Sequence, residues 1–245
     1  MTAVPRNNII LGEFLKNFYN PQFAGDDEKS TELIDICQPL AQSAAYYNIP
    51  VYVLTNGVSK ERHGNLSIEP MDVNPQRYNL SLYFVRWELA LNFLVQHPEF
   101  VKVALVDVAD VEVLNYPFSQ VEDGTLYFGD EFKYLDAGII KRDAQTPEMR
   151  TFFEENPRLQ MLNPGVIVGS REIIIEFLTV LVSYFNRIQV DRLRGVPGQK
   201  LGNFEMALSN YVAYRYFSGR IKHGREISTL FSYNELTSSA WFKHK

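Results

Sequence analysis

The chain has 245 residues, of which 46% are hydrophobic and 22% charged, the balance of a globular protein with a sizeable core. A net charge of -5, with no basic tract longer than two residues, argues against a dedicated nucleic-acid binder. The single cysteine, Cys37, excludes an intramolecular disulfide and a cysteine-based zinc cluster, and its apolar neighbours predict a buried, unreactive thiol.

Met1 to Asn8 lacks the apolar core of a signal peptide, and Ile173 to Phe185 is too short to span a bilayer. A cytoplasmic protein is expected. Asn8 to Phe14 reads as a first strand, turning at or near Gly12. A helix follows, capped by Ser30 or Thr31 and running to Tyr47, with Leu33, Ile36, Cys37 and Leu40 on one face and Pro39 inside it. Ile49 to Leu54 is a second strand, ended by Thr55-Asn56-Gly57. This strand-helix-strand order predicts a parallel sheet.

Ser59 to Gln76 reads as a long surface loop, and Asn79 to Gln96 as a helix with Leu82, Val85, Leu89 and Phe93 at helical spacing. Arg86 and Trp87 lie inside it. The stretch from Val103 to Val113 then starts as a buried central strand and breaks at Asp107 and Asp110. Ligands of open α/β sheets bind outside the carboxyl ends of strands, and two carboxylates there suit a hard divalent cation that also takes phosphate oxygens. With 29 acidic residues in the chain, spacing alone does not separate such a pair from two loop acids facing water.

Beyond it, Thr125 to Gly129 is a short strand, and Leu135 to Asp143 reads either way, with a strand as one option. Thr146-Pro147-Glu148 opens a short helix with proline in its first turn. Leu162 to Ser170 reads as turn, strand and turn, and Arg171 to Phe185 as a long buried helix. Asp191 to Gly202 is expected to be a mobile loop, Asn203 to cap a helix through Phe217 with Met206, Tyr211 and Tyr214 inward, and the aromatic and basic C-terminus to be frayed.

Taken in order, three segments resemble the glycosyltransferases of the GT-A fold. Val106-Asp107-Val108-Ala109-Asp110-Val111, running on to Asn115-Tyr116-Pro117-Phe118, resembles the family's Asp-x-Asp-type strand end. Leu162-Asn163-Pro164-Gly165-Val166-Ile167-Val168-Gly169 resembles the strand under the donor sugar, with Pro164 in place of the usual small residue. Glu205-Met206-Ala207-Leu208-Ser209-Asn210 resembles an acidic helix start, with Glu205 where Asp is commoner, and Trp241-Phe242-Lys243-His244 is similar to the segment that supplies a late His.

The resemblance implies an α/β fold: a single GT-A-like domain over 1–245, with a Rossmann-like mixed, mainly parallel central sheet flanked by helices. Residues 1–113 would form the nucleotide-binding half and 114–245 the sugar- and acceptor-binding half. It implies metal-dependent transfer of a hexose-type sugar from a nucleotide-diphosphate donor, expected to be a UDP-sugar, to an acceptor hydroxyl. Asp107, Asp110 and His244 would hold Mn2+ or Mg2+. Gly12, Phe14, Thr55, Asn56, Arg86, Asp107, Asn163, Gly165 and Lys243 would contact the donor, with Arg192, Arg194 or Lys200 neutralising phosphate further. Glu205 and Asp110 are the catalytic candidates. The acceptor, whether glycan, protein or small molecule, and the choice between inverting and retaining chemistry stay open. A nucleotidyltransferase would also use paired carboxylates and a metal, but Glu13-Phe14-Leu15-Lys16-Asn17 stands where its Gly-rich phosphate loop is expected. A non-catalytic nucleotide-sugar-binding protein is the third reading.

Overall fold

Four apolar segments whose β-branched and leucine residues fill both faces build the centre of the sheet, and each is buried for most of its length. They are β1 (Asn8–Phe14), β2 (Val51–Thr55), β5 (Lys102–Val106) and β8 (Gln160–Ser170). The computed structural model describes residues 7–16, 18–19, 33–56, 59–73, 80–144, 146–230 and 237–244. The predicted caps Ser30 and Thr31, as well as Gly57 and Lys245, lie outside the described residues.

The remaining strands are β3 (Glu61–His63), β4 (Leu66–Pro70), β6 (Val111–Val113), β7 (Leu126–Tyr134), β9 (Ile221–His223) and β10 (Phe242–His244). The helices are α1 (Leu33–Tyr46), α2 (Leu82–Gln96), α3 (Gly138–Asp143), α4 (Pro147–Glu155), α5 (Arg171–Leu193) and α6 (Met206–Phe217). Eight strands form one mixed sheet in the order β3-β4-β2-β1-β5-β8-β7-β9, and β6 with β10 forms a second, two-stranded sheet. The run β4-β2-β1-β5 is parallel throughout; β8 is antiparallel to both β5 and β7, and β3 is antiparallel at the edge. The protein is therefore α/β with a mainly parallel mixed sheet, flanked by helices and compatible with a Rossmann-like arrangement. Chain order reverses between β1 and β5, which makes their carboxyl ends the switch point where such sheets bind ligands.

One apolar layer joins one face of the sheet to α2, α5 and α6, with Trp87, Phe177, Phe185 and Phe217 fully buried. The other joins the opposite face to α1, β6 and β10 through Cys37, Val108, Trp241 and Phe242. Cys37 is buried and burial pushes its thiol up to about 12, so the expectation of an unreactive cysteine holds. Thr146 accepts from the Met149 amide and caps α4 as the Thr-Pro-Glu signal predicts.

Several expectations are corrected. The loop predicted over 59–76 contains β3 and β4; Leu66 and Ile68 alternate inward, a two-residue signal hidden among Gly, Asn and Pro. Residues 138–143 are the short helix α3, not a strand. The segment 103–113 is two strands in two sheets, with Asp107 to Asp110 as the turn between them. Helix α5 continues to Leu193, past the predicted end at Phe185, so only the part of 191–202 beyond it is irregular. The C-terminus is not frayed: Trp241 is 3% exposed, and β10 pairs with β6. Asn115 fastens it, its side-chain amide donating to the carbonyls of Ser238 and Ala240 while its backbone amide donates to Trp241.

Candidate metal centre

One turn and two strands converge at the end of β5. The chain leaves β5 at Val106, so Asp107 and Asp110 occupy the turn before β6. Residue His244 arrives from the opposite direction, because the β6–β10 register places it across from Val111. Its backbone amide donates to Thr229 Oγ1 at 3.0 Å, and the residue is 4% exposed. Its Nε2 lies 3.9 Å from Asp107 Oδ2 and 3.8 Å from Asp110 Oδ1.

Beneath them is Gly165. On β8, pairing with β7 jumps from Phe128–Ile167 to Gly129–Asn163, so residues 164–166 leave that ladder where Pro164 has no amide to give it. The Gly165 amide instead donates to Asn163 Oδ1 at 2.8 Å, and its carbonyl accepts from the Asp107 amide at 3.0 Å. A Cβ on Gly165 would lie 2.4 Å from His244 Cε1 and 2.7 Å from Asp107 Oδ2, so only glycine lets the strand pass this close.

The donor set fits a divalent cation. Two carboxylates and one imidazole each offer one ligand atom, and these atoms lie within 4.8 Å of one another. Ligands at about 2.1 Å from a shared ion stand at most about 4.2 Å apart. The two histidine–carboxylate distances already satisfy that limit.

No family model matches the chain, and no curated protein matches it. The site is therefore argued from its own geometry.

Asp107 uses its two oxygens differently. While Oδ2 faces His244, Oδ1 accepts from Arg86 Nη1 at 2.6 Å. Arg86 is buried on α2, lies over the Trp87 ring at 4.1 Å, and donates through Nη2 to Glu205 Oε1 at 2.9 Å. One guanidinium thus ties the metal-ligand turn to the start of α6, a bridge that needs its planar fork. Burial works against the charge of Arg86, but Asp107, Glu205 and Glu13 outweigh it and hold the proton more firmly than usual.

Burial pushes Glu205 up to about 7; the nearby Arg86 lowers it and Asp107 raises it. Glu13, near the end of β1, is pushed further, to about 8, by burial, with Arg86 again lowering and Asp107 raising. Its Oε1 is inaccessible to solvent and has no hydrogen-bond partner among the described residues. Sequence reading missed Glu13 as part of this cluster. A single charged residue in a predicted buried strand end was the available signal, since such groups stay buried only when neutralised or paired.

The other expected site residues are placed as follows. Gly12 is inside β1 and at no turn; a Cβ there would meet Val108 Cγ1 at 2.4 Å and the Val106 carbonyl oxygen at 2.6 Å. Phe14 and Thr55 end their strands side by side, and Thr55 is fully buried. The Asn56 side-chain amide, expected to contact the donor, accepts from the Lys16 amide and donates to the Lys16 carbonyl, stapling the β1 loop to β2. Asn163 holds Gly165 with its oxygen and donates to Glu131 at 2.7 Å. Lys243, expected at phosphate, pairs with Glu112 at 3.0 Å; alternation along β10 sends it to the face opposite His244. Asn210 braces α6 to β8 through both the amide and the carbonyl of Leu162. The helix starts at Met206 after Glu205, with no side-chain cap, so Asn203 is not the cap predicted for it; Met206 and Tyr214 are half-buried, and only Tyr211 of the predicted inner face is fully buried.

Proposed function

We propose that the protein is a metal-dependent glycosyltransferase of the GT-A type, moving a hexose-type sugar from a nucleotide-diphosphate donor, with a UDP-sugar as the first donor to test. The observation that carries this reading is the convergence of Asp107, Asp110 and His244 at the sheet's switch point, over Gly165 of the antiparallel β8. These are the residues for which the sequence resemblance implies a metal and diphosphate site.

Manganese or magnesium is the cation the resemblance implies; the two carboxylates suit either, and the imidazole suits manganese better than magnesium. When bound, a divalent ion supplies Lewis-acid charge beside a departing diphosphate. The protein's own contribution is positional: Asn163 and Asp107 fix Gly165, and Arg86 holds Asp107 in a single orientation. Glu205, 5% exposed and bonded to Arg86, is better suited to hold that arrangement and its charge than to reach an acceptor as a general base. The nucleoside would lie along the ends of β1 and β2, with Phe14 available for stacking.

The test is nucleoside-diphosphate release from a panel of nucleotide sugars, with and without manganese, for wild type and Asp110→Ala. Metal-dependent release from one donor, lost in the variant, supports the reading. If no donor is turned over and none raises the melting temperature, the reading fails.

A further inference from the structure

The starts of α2 and α6, bridged by the Arg86–Glu205 pair, are tied together by a second contact. Ser81, at the cap position of α2, does not cap the helix; its hydroxyl donates to the Asn203 carbonyl at 2.9 Å. The backbone after β1 joins them, since Leu82 N–H donates to the Tyr19 carbonyl. Against this junction the structure has a cavity of about 320 Å³, in the range of small-ligand sites. Its wall includes Phe18, Tyr19, Ser81, Arg192, Lys200 and Asn203.

The charge on that wall is one-sided. Arg192 comes from the last turn of α5 and Lys200 from the segment that follows it. Neither has an ion-pair partner among the described residues, and no carboxylate is among the described residues of the lining. Asp143, buried beside Gly202, accepts from the Asn203 amide and is not among the described residues of the lining. Helix α2, which starts on the wall, has no acidic residue in its first turn. In a chain of net charge -5, a concave surface whose described residues carry two cations and no carboxylate is a local reversal.

We propose that this cavity binds a phosphate-bearing sugar or polyol, and that this molecule is the acceptor of the transfer; the second clause rests on the transferase reading. A phosphomonoester carries about -1.5 to -2 at pH 7, which matches two cations better than a carboxylate does. The Arg192 fork pairs two phosphate oxygens and Lys200 meets a third as a point charge. Ser81 and Asn203 offer hydroxyl and amide partners for a polyol, and Tyr19, 56% exposed, offers an aromatic face for its C–H groups. Arg192 and Lys200 were expected to neutralise the donor diphosphate. The cavity gives them a different anion, one hydrogen-bonded junction away from the Arg86–Glu205 pair.

Binding is measured by calorimetry on the full chain without metal or nucleotide sugar, using glucose 6-phosphate, glucose and inorganic phosphate as probes. Glucose 6-phosphate is expected to bind at least about tenfold more tightly than either of the others, because only it satisfies both the cations and the polar wall. The double variant Arg192→Gln/Lys200→Gln is expected to lose that preference with its melting temperature unchanged, since both side chains are exposed. Equal binding of glucose and its phosphate, equal binding of inorganic phosphate, no binding of any probe, or a variant that binds like wild type would each overturn the proposal. Nucleoside-diphosphate release without sugar-phosphate binding would overturn this proposal alone. Sugar-phosphate binding without any release would overturn the transferase reading and leave the cavity's ligand standing.

Discussion

Gly165→Ala tests the metal centre without replacing a candidate ligand residue. The added methyl carbon would sit 2.4 Å from His244 Cε1, where an ordinary carbon–carbon contact is about 3.5 to 4.0 Å. The imidazole would have to withdraw by about 1 Å or more, and Asp107 Oδ2, at 2.7 Å, must also give way. Metal sites tolerate about 0.2 Å of error in ligand distance, so two of three ligands leave their working positions together. Disturbing the shell that orients ligands costs about 10- to 100-fold in metal affinity, and the loss expected here is at the upper end. Overpacking of this kind destabilises by about 1–3 kcal/mol, a fall of roughly 2–12 °C in melting temperature for a chain of this size. Calorimetric titration with manganese, alongside thermal melts with and without it, separates the two effects. A variant that binds manganese within about threefold of wild type would refute the placement of the site over Gly165.

Other substitutions probe the buried charges and the strand ends. Glu13 has its carboxyl raised from 4.5 to about 8 by folding, so the folded state holds the extra proton and stability falls as pH rises from about 4.5 to 8, by up to on the order of 5 kcal/mol. Glu13→Gln should flatten that slope and be more stable than wild type at pH 8 in urea unfolding; a wild-type-like pH profile would refute the burial of Glu13 in this cluster. Arg86→Met leaves Glu205 and Asp107 without their shared cation and should cost about 3–5 kcal/mol in the same assay. Arg86→Lys should recover little of it, because an ammonium cannot reproduce the two-pronged bridge. Gly12→Ala forces a methyl against the Val106 carbonyl oxygen at 2.6 Å and should destabilise by about 1–3 kcal/mol or more, read from the melting temperature.

The sequence was most informative where one face of a long element is apolar. Strands β1, β2 and β5, helix α2 and the Thr146-capped α4 sit within a few residues of their predicted positions. Short elements were not legible: β4 contributes only Leu66 and Ile68 to the core, and α3 is six residues, less than two turns of any period. The site divided along a similar line. Asp107, Asp110 and His244 were candidates from motif order, and the structure brings them together. Glu13 belongs to no motif, and its importance comes from Arg86, which approaches from a helix more than 70 positions later in the chain. Asn56 and Lys243 had the right residue types near the right strand ends. What the sequence withheld was their partners: backbone atoms of Lys16 in one case and the cross-strand Glu112 in the other. Strand alternation alone could have warned that Lys243 and His244 face opposite ways.

The same geometry explains why a C-terminal strand of three residues is built so firmly. His244 reaches the two aspartates only because β10 lies antiparallel to β6, the strand that the aspartate turn leads into. The turn and the histidine are therefore two sides of one small sheet, and neither can shift without carrying the other. Trp241 and Phe242 bury that sheet against the core, Asn115 fastens its approach, and Thr229 fixes the His244 backbone. On the opposite side Arg86 links Asp107 to α6, and Gly165 supports the floor from β8. Three polar side chains are thus positioned by five separate tertiary anchors, far more than a solvated acidic turn requires. Such over-determination is what a site needs when its ligands must be held to a few tenths of an ångström.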